Sequence, residues 1–275
     1  ILVNAAMNAE QAKLHVTLLE GLQKSHRIFL MAALRNDDLY GKKTMEEIVR
    51  LTFVLSYRWA GADKGRQSLE DAFHDLAMCA LGVSADQNSS LARDALTGDE
   101  LVAKLRGLVD EVEVDFLKIM RRDIDSSFIS RAALYCAHRL TVGNAIGHSL
   151  KDLHLEHIAP QTGTTTWVNE LFGDDSEGSL YEDTITSIGN LTLLDPALNH
   201  KLLNKPFAEK RAEYEKSSMY LTTNLAKFEI WSEEIIKART IWLSELFSAV
   251  CSNLGPSKDT LAFADWYESH GLDAQ

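Results

Sequence analysis

The sequence predicts a mainly α-helical fold, a helical array with one small strand–loop–strand–helix segment embedded in its C-terminal half. Three observations predict it. Apolar residues recur at three- and four-residue steps through residues 4–141 and again after Pro206. The period switches to two near residue 153 and again near residue 190. Only 4 prolines interrupt 275 residues of 45% apolar content, so the chain can bury a substantial core. Two domains are expected, a helical connecting domain over residues 1–147 and a second domain over residues 148–275.

In the first domain Met45, Ile48, Val49, Thr52, Phe53 and Ser56 share one helical stripe, and Phe116, Ile119 and Met120 share another. Turn residues break the array near Asn36-Asp37-Asp38, at 61–65, at 84–90 and at 123–127. Nothing in it has the pattern of a reactive site. After Gly143 and Gly147, Leu153, Leu155 and His157 alternate with His154 and Glu156, which predicts a short strand that Pro160 stops. A connection of about thirty residues follows, with one short helix over 167–172, a length that often marks a functional loop. Residues 188–194 read as a second strand, and Asp195-Pro196 starts a helix with Asp195 as N-cap. Trp231, Ile235, Ala238, Trp242 and Leu246 then lay one apolar stripe along a helix of roughly 22 residues. Asn253-Leu254-Gly255-Pro256 ends that helix, and 258–270 predicts a last short one.

Cys79, Cys136 and Cys251 are widely separated in helical patterns, which leaves neither a disulfide framework nor a CxxC zinc knuckle. A cytoplasmic protein with no membrane association is expected, since no apolar run approaches the roughly 18 to 20 residues that span a bilayer. The chain opens on Ile1 and is expected to be a piece of something longer. Its net charge of −12 is the wrong sign for a large DNA-holding surface. Residues 151–275 carry 10 basic against 20 acidic side chains, and seven carboxylates fall between 170 and 195. Lys201, Lys205, Lys210 and Arg211 follow immediately and are the candidate phosphate contacts.

The residues with chemical potential are Glu156 and His157 on the first predicted strand, Asn190 on the second, and Asn199 nine positions later. Hydrolysing a phosphodiester needs a base to deprotonate water and a cation to stabilise charge on phosphorus and on the departing 3′ oxygen. His157 suits the first task, because an imidazole titrates near working pH. Glu156 and Asn199 suit the second, as oxygen ligands of one hard divalent ion, Mg²⁺ or Mn²⁺. Adjacent strand residues point to opposite sides, so Glu156 and His157 can share a site only if His157 ends the strand. His154, two positions from Glu156, is a further candidate metal ligand, ranked behind the carboxylate because a hard cation prefers oxygen. His200 competes with Asn199. The Asn190 amide, donor and acceptor at once, suits fastening the long loop.

The phrase His-Leu-Glu-His-Ile-Ala-Pro-Gln, followed by Ile-Gly-Asn-Leu-Thr-Leu-Leu, Asn199, Asn204-Lys-Pro-Phe207, Lys210, Tyr214, Trp231 and Arg239, resembles the DUF1524 branch of the HNH (ββα-metal) nuclease superfamily. The similarity covers roughly residues 151–245. It implies an endonuclease that nicks or cleaves DNA, with His157 as general base, Glu156 and Asn199 on the metal, and Asn190 as the motif's structural Asn. Glu156 stands where members commonly carry Asp. Such domains typically follow an N-terminal DUF262 domain, as in GmrSD-type modification-dependent restriction enzymes and SspE-type effectors of phosphorothioation-dependent phage defence, and no such domain is present in this sequence. The alternative reading is a non-catalytic nucleic-acid-binding or assembly module that retains a ββα fold.

Overall fold

A computed structural model describes residues 15–16, 18–19, 25–62, 64–83, 94–121, 128–142, 150, 152–173, 179–195, 198, 202–252 and 260–272. The fold is mainly α. Two short strands, β1 (His154–His157) and β2 (Leu191–Leu194), form one antiparallel sheet. The chain divides into two compact units, residues 1–115 with 251–255, and residues 116–250 with 256–275. The division therefore falls ahead of the expected 147/148, because helices on the near side of that point pack with the C-terminal elements.

The first unit holds α1 (Ser25–Leu34), α2 (Asp37–Gly61), α3 (Arg66–Leu81) and α4 (Gly98–Asp110). α1 lies against α3, and α2 against α4. The predicted stripe from Met45 to Ser56 is buried throughout. Gly41 interrupts α2 at φ +73, a left-handed conformation that glycine adopts without steric cost. α4 opens on a capping box, in which the Thr97 hydroxyl accepts from the Glu100 N–H and the Glu100 carboxylate accepts from the Thr97 N–H. The predicted breaks near 36 and at 61–65 appear between helices. Those at 84–90 and 123–127 lie outside the described residues.

His15 gives this unit a pH dependence. Its ring is buried 4.9 Å from that of Phe53. Burial first, and the Arg50 charge second, push its pKa down to about 4, with Glu47 opposing. Below pH 6.5 the unfolded chain takes up a proton that the folded state refuses, so stability falls as pH drops from 6.5 toward 4. The full window is worth about 3 kcal/mol at 1.36 kcal/mol per unit. Urea titrations at pH 7 and pH 5 should show about 2 kcal/mol of this loss, and His15→Phe should flatten it.

The second unit contains α5 (Phe116–Met120), α6 (Phe128–Val142), β1, α7 (Thr165–Phe172), α8 (Ser179–Ile185), a 3₁₀ turn (Ile188–Asn190), β2, α9 (Phe207–Tyr214), α10 (Tyr220–Thr223), a second 3₁₀ turn (Asn224–Lys227), α11 (Glu233–Val250) and α12 (Phe263–Ser269). α11 is its spine and meets α5, α6, α12 and the first 3₁₀ turn. The stripe Trp231, Ile235, Ala238, Trp242 and Leu246 is buried as the spacing predicts. The helix is 18 residues long, shorter than expected, because it starts at Glu233, just after Ser232, whose hydroxyl accepts from the Ile235 N–H. An aromatic group made by Phe207, Phe228, Trp231, Phe263 and Tyr267 joins α9, α12 and the segment between the second 3₁₀ turn and α11.

Two local features depart from the sequence pattern. The long connection carries a second helix, α8, beside the expected α7. The first three residues of the predicted second strand form the 3₁₀ turn, so β2 begins only at Leu191. Beyond β2, Leu198 and Leu202 are helical and buried. Pro196, the expected first-turn residue, lies outside the described residues. The Asp195 carboxylate accepts from the Ser217 hydroxyl and the Ser218 N–H, each at 3.0 Å, and so ties the end of β2 to the loop before α10. Among the described residues no helix is long and apolar enough to cross a membrane.

Candidate functional site

β1 pairs with β2 in the register His154 to Leu194, Glu156 to Thr192 and His157 to Leu191. Every residue of β2 is buried. The Thr222 hydroxyl donates to the Leu193 carbonyl at 2.6 Å and meets the Thr192 hydroxyl at 2.8 Å, which fixes β2 against α10. β1 is the more open strand, with His154 exposed and His157 half-buried at its last position. Because the strand stops there, the alternation that would separate Glu156 from His157 ends at His157. The Lys210 ammonium bonds both the Glu156 carboxylate and the His157 carbonyl, which holds the two residues at one place.

The bend after His157 is held by the opposite strand's lead-in. Asn190 is fully buried, and its side-chain oxygen accepts from the Ala159 N–H at 2.8 Å and from the Trp231 indole at 3.3 Å. Its amide nitrogen donates to the carbonyls of Ala159 at 2.8 Å and Ile185 at 3.0 Å. The Asn190 backbone carbonyl accepts from the Ile158 N–H at 2.9 Å. The Tyr181 hydroxyl donates to the Pro160 carbonyl at 2.6 Å. Residues 158–160 are thus tied at three consecutive positions to α8 and the 3₁₀ turn.

α11 fixes that turn in its own right. Arg239, buried in α11, donates through one nitrogen to the carbonyls of Gly189 at 2.7 Å and Leu191 at 2.6 Å, bracketing Asn190. Burial pushes its guanidinium down to about 9. The Gly189 N–H donates to the Thr240 hydroxyl at 3.1 Å. A Cβ at Gly189 would stand 2.0 Å from the Ile236 carbonyl oxygen and 2.4 Å from the Thr240 hydroxyl, so only glycine permits this approach. Gly189→Ala should lower the unfolding free energy by about 3 kcal/mol through overpacking against backbone, read as a fall in the urea midpoint. An unchanged midpoint would show that the turn and α11 part easily.

Glu156 is almost fully buried, and its Oε1 accepts from the Lys210 ammonium at 2.7 Å. The same ammonium donates to the His157 carbonyl at 2.8 Å. Burial pushes the Glu156 carboxyl up and the Lys210 ammonium down, and the ion pair works against both shifts. Among the described residues nothing bonds the second carboxylate oxygen, Oε2.

Placed against expectation, the structure brings Glu156, His157 and Asn190 together around the end of β1, with His154 on the Glu156 side of the strand. Asn199, His200 and Lys201 lie outside the described residues. Lys205 is exposed and 3.8 Å from the Glu209 carboxylate, and Arg211 is half-buried. Lys210 departs from the expected solvated face. It projects from the buried face of α9, between Phe207 and Tyr214, and its 0% exposure removes it from the surface a phosphate can reach. The spacing Phe207, Lys210, Tyr214 was the available signal, since it aligns the lysine with two aromatic residues on one helical face. The bracketing role of Arg239 and the close approach of Gly189 left no comparable trace in the sequence.

Among the described residues no three His, Cys, Asp or Glu side chains gather as ligands. The donor chemistry present does fit a hard cation at one corner: a carboxylate whose Oε2 accepts no hydrogen bond from the described residues, with the His154 imidazole two positions along the same strand.

Residues 110–246 match the family model described as GmrSD restriction endonucleases, C-terminal domain. The match begins ahead of α5, in agreement with the inclusion of α5 and α6 in the second compact unit. No curated protein matches the chain.

Proposed function

We propose, from the match of residues 110–246 to the family model of GmrSD restriction endonuclease C-terminal domains, that this chain is a metal-dependent HNH-type endonuclease that hydrolyses DNA phosphodiester bonds as the effector half of a restriction or phage-defence protein. The observation that carries the reading is the end of β1, where His157 sits beside a buried carboxylate and leads into a bend tied down by Asn190. Such anchoring is what a general base needs, because proton transfer demands a fixed position within hydrogen-bond reach of the attacking water.

In this mechanism the His157 imidazole takes a proton from water as the oxygen attacks phosphorus. Asn190 touches no substrate and holds the 158–160 bend so that the imidazole keeps its place. A bound Mg²⁺ or Mn²⁺ would supply charge stabilisation at the phosphoryl group and the leaving oxygen, and Glu156, Asn199 and His154 are the residues that would hold it. Lys205 and Arg211, with Lys201, would meet the backbone phosphates. An N-terminal DUF262-like domain would decide when the nuclease acts, and DNA modification, phosphorothioation included, is the signal such a domain would sense.

Supercoiled plasmid incubated with the chain in Mg²⁺ or Mn²⁺, and separately in chelator, tests this. Conversion to nicked or linear plasmid in metal and none in chelator is expected. The excess of acidic side chains over residues 151–275 favours a second reading, a non-catalytic binding or assembly module. Plasmid that stays intact in both metals, with metal-free binding that weakens steeply as salt rises, would establish that reading instead.

A further inference from the structure

We propose that Lys210 is a positioning residue, whose ammonium locks the Glu156 side chain and the His157 backbone into one fixed arrangement at the end of β1. The inference rests on the nuclease reading above for its catalytic consequence, but the arrangement stands on the geometry alone.

The ammonium reaches two neighbouring residues at once, Glu156 Oε1 at 2.7 Å and the His157 carbonyl at 2.8 Å. Both bonds come from α9, which is separated from β1 by more than fifty residues of chain. The lysine is fully buried, and its ammonium stands 6.0 Å from the centre of the Trp167 ring. A buried ion pair is an inefficient way to gain stability, since desolvating two charges cancels most of their attraction and an apolar pair of the same volume packs as well. What it confers is a defined geometry. The bond to Oε1 removes rotation of the Glu156 carboxylate and leaves Oε2 as the edge that can face a ligand. The bond to the His157 carbonyl fixes the peptide from which the imidazole hangs, on the side away from the Asn190 anchor. His157 is therefore clamped from both directions, by Lys210 at its own carbonyl and by Asn190 two residues on.

The bland alternative is that the pair only staples α9 to β1. The two readings differ in what Lys210→Met does to the turnover of molecules that are folded. Under the positioning reading, nicking by folded Lys210→Met falls roughly 100-fold in kcat, the cost of a displacement of about an ångström at a catalytic group, while KM for DNA changes less than about threefold. Lys210→Arg, which restores a cation on a similar stem, recovers part of the loss. Under the stapling reading, folded Lys210→Met turns over as fast as wild type, and that result overturns the proposal.

A measurement on the wild-type chain guards against a variant that does not fold. The Lys210 ammonium should appear as a slowly exchanging ¹⁵N–¹H signal at neutral pH that vanishes in Glu156→Gln. An ammonium that exchanges as fast as the surface lysines overturns the proposal. If wild type fails to cut DNA while this signal is present, the nuclease reading falls and the clamp remains. If wild type cuts and folded Lys210→Met cuts equally, only the clamp falls.

Discussion

His157→Ala is expected to slow plasmid nicking by roughly 10²- to 10⁴-fold, the range that a general base contributes. The fold should persist. The side chain is half-buried at the end of β1, and the bond that ties this residue to α9 runs through its backbone carbonyl, which alanine keeps. The pairing of its backbone with Leu191 also survives. These backbone contacts keep the fold, so far-ultraviolet dichroism should match wild type while the nicking rate per folded molecule collapses. Retained activity at an unchanged fold would assign the base to another residue.

Asn190→Ala is expected to fail in the opposite manner, by loss of structure. It strips partners from the Ala159 N–H, the Ala159 carbonyl and the Ile185 carbonyl in a region with no access to water. Each unsatisfied buried group costs about 1–3 kcal/mol, so the sum is about 3 kcal/mol or more, a large share of a typical domain's stability. Asn190→Asp offers no relief, because it keeps the acceptor and loses both donations while burying a charge. Urea unfolding checks the magnitude. Nicking per folded molecule should fall as well, since the bend behind His157 loses its side-chain tether. A variant that unfolds at the wild-type midpoint would contradict the anchoring role.

These two effects show how differently the sequence reports on chemistry and on support. The strand 154–157 was legible from period-two alternation ended by Pro160, and the buried face of α11 from the spacing of Trp231 through Leu246. Both are local patterns, and local patterns survive in one dimension. Glu156, His157 and Asn190 were legible as candidates, because their residue types and spacing carried a family resemblance. The start of β2 was not. Residues 188–190 have strand-like composition, and what bends them into a 3₁₀ turn is the approach of α11 some fifty residues later, with Arg239 and Thr240 taking up the Gly189 backbone. Lys210 misled for a related reason. Lysine is ordinarily solvated, and only the tertiary placement of Glu156 opposite α9 offers it a partner good enough to leave water. The two-unit division lay ahead of the expected boundary because α5 and α6 look like any other helices in sequence, and their partner α11 is distant.

Replacement of the charge at 156 follows the same logic. A buried carboxylate bonded to a buried ammonium has two duties if Oε2 also faces a cation, one toward the fold and one toward the reaction. Glu156 is therefore a poor first probe of metal binding, since any loss of activity mixes both. His157 is the cleaner probe, because the bond that Lys210 makes to it runs to the backbone carbonyl, which a substitution keeps.

The central claim is that the end of β1 carries out hydrolysis by water with departure of the 3′ oxygen. The chemistry of the nick tests it most directly. Plasmid nicked by the wild-type chain in Mn²⁺ should carry 5′-phosphate and 3′-hydroxyl ends, so DNA ligase reseals it with no prior treatment, and a parallel reaction with His157→Ala should give almost no nicks to seal. Nicks that ligase cannot close until a 3′-phosphate is removed, or equal numbers of sealable nicks from the two proteins, would contradict the account.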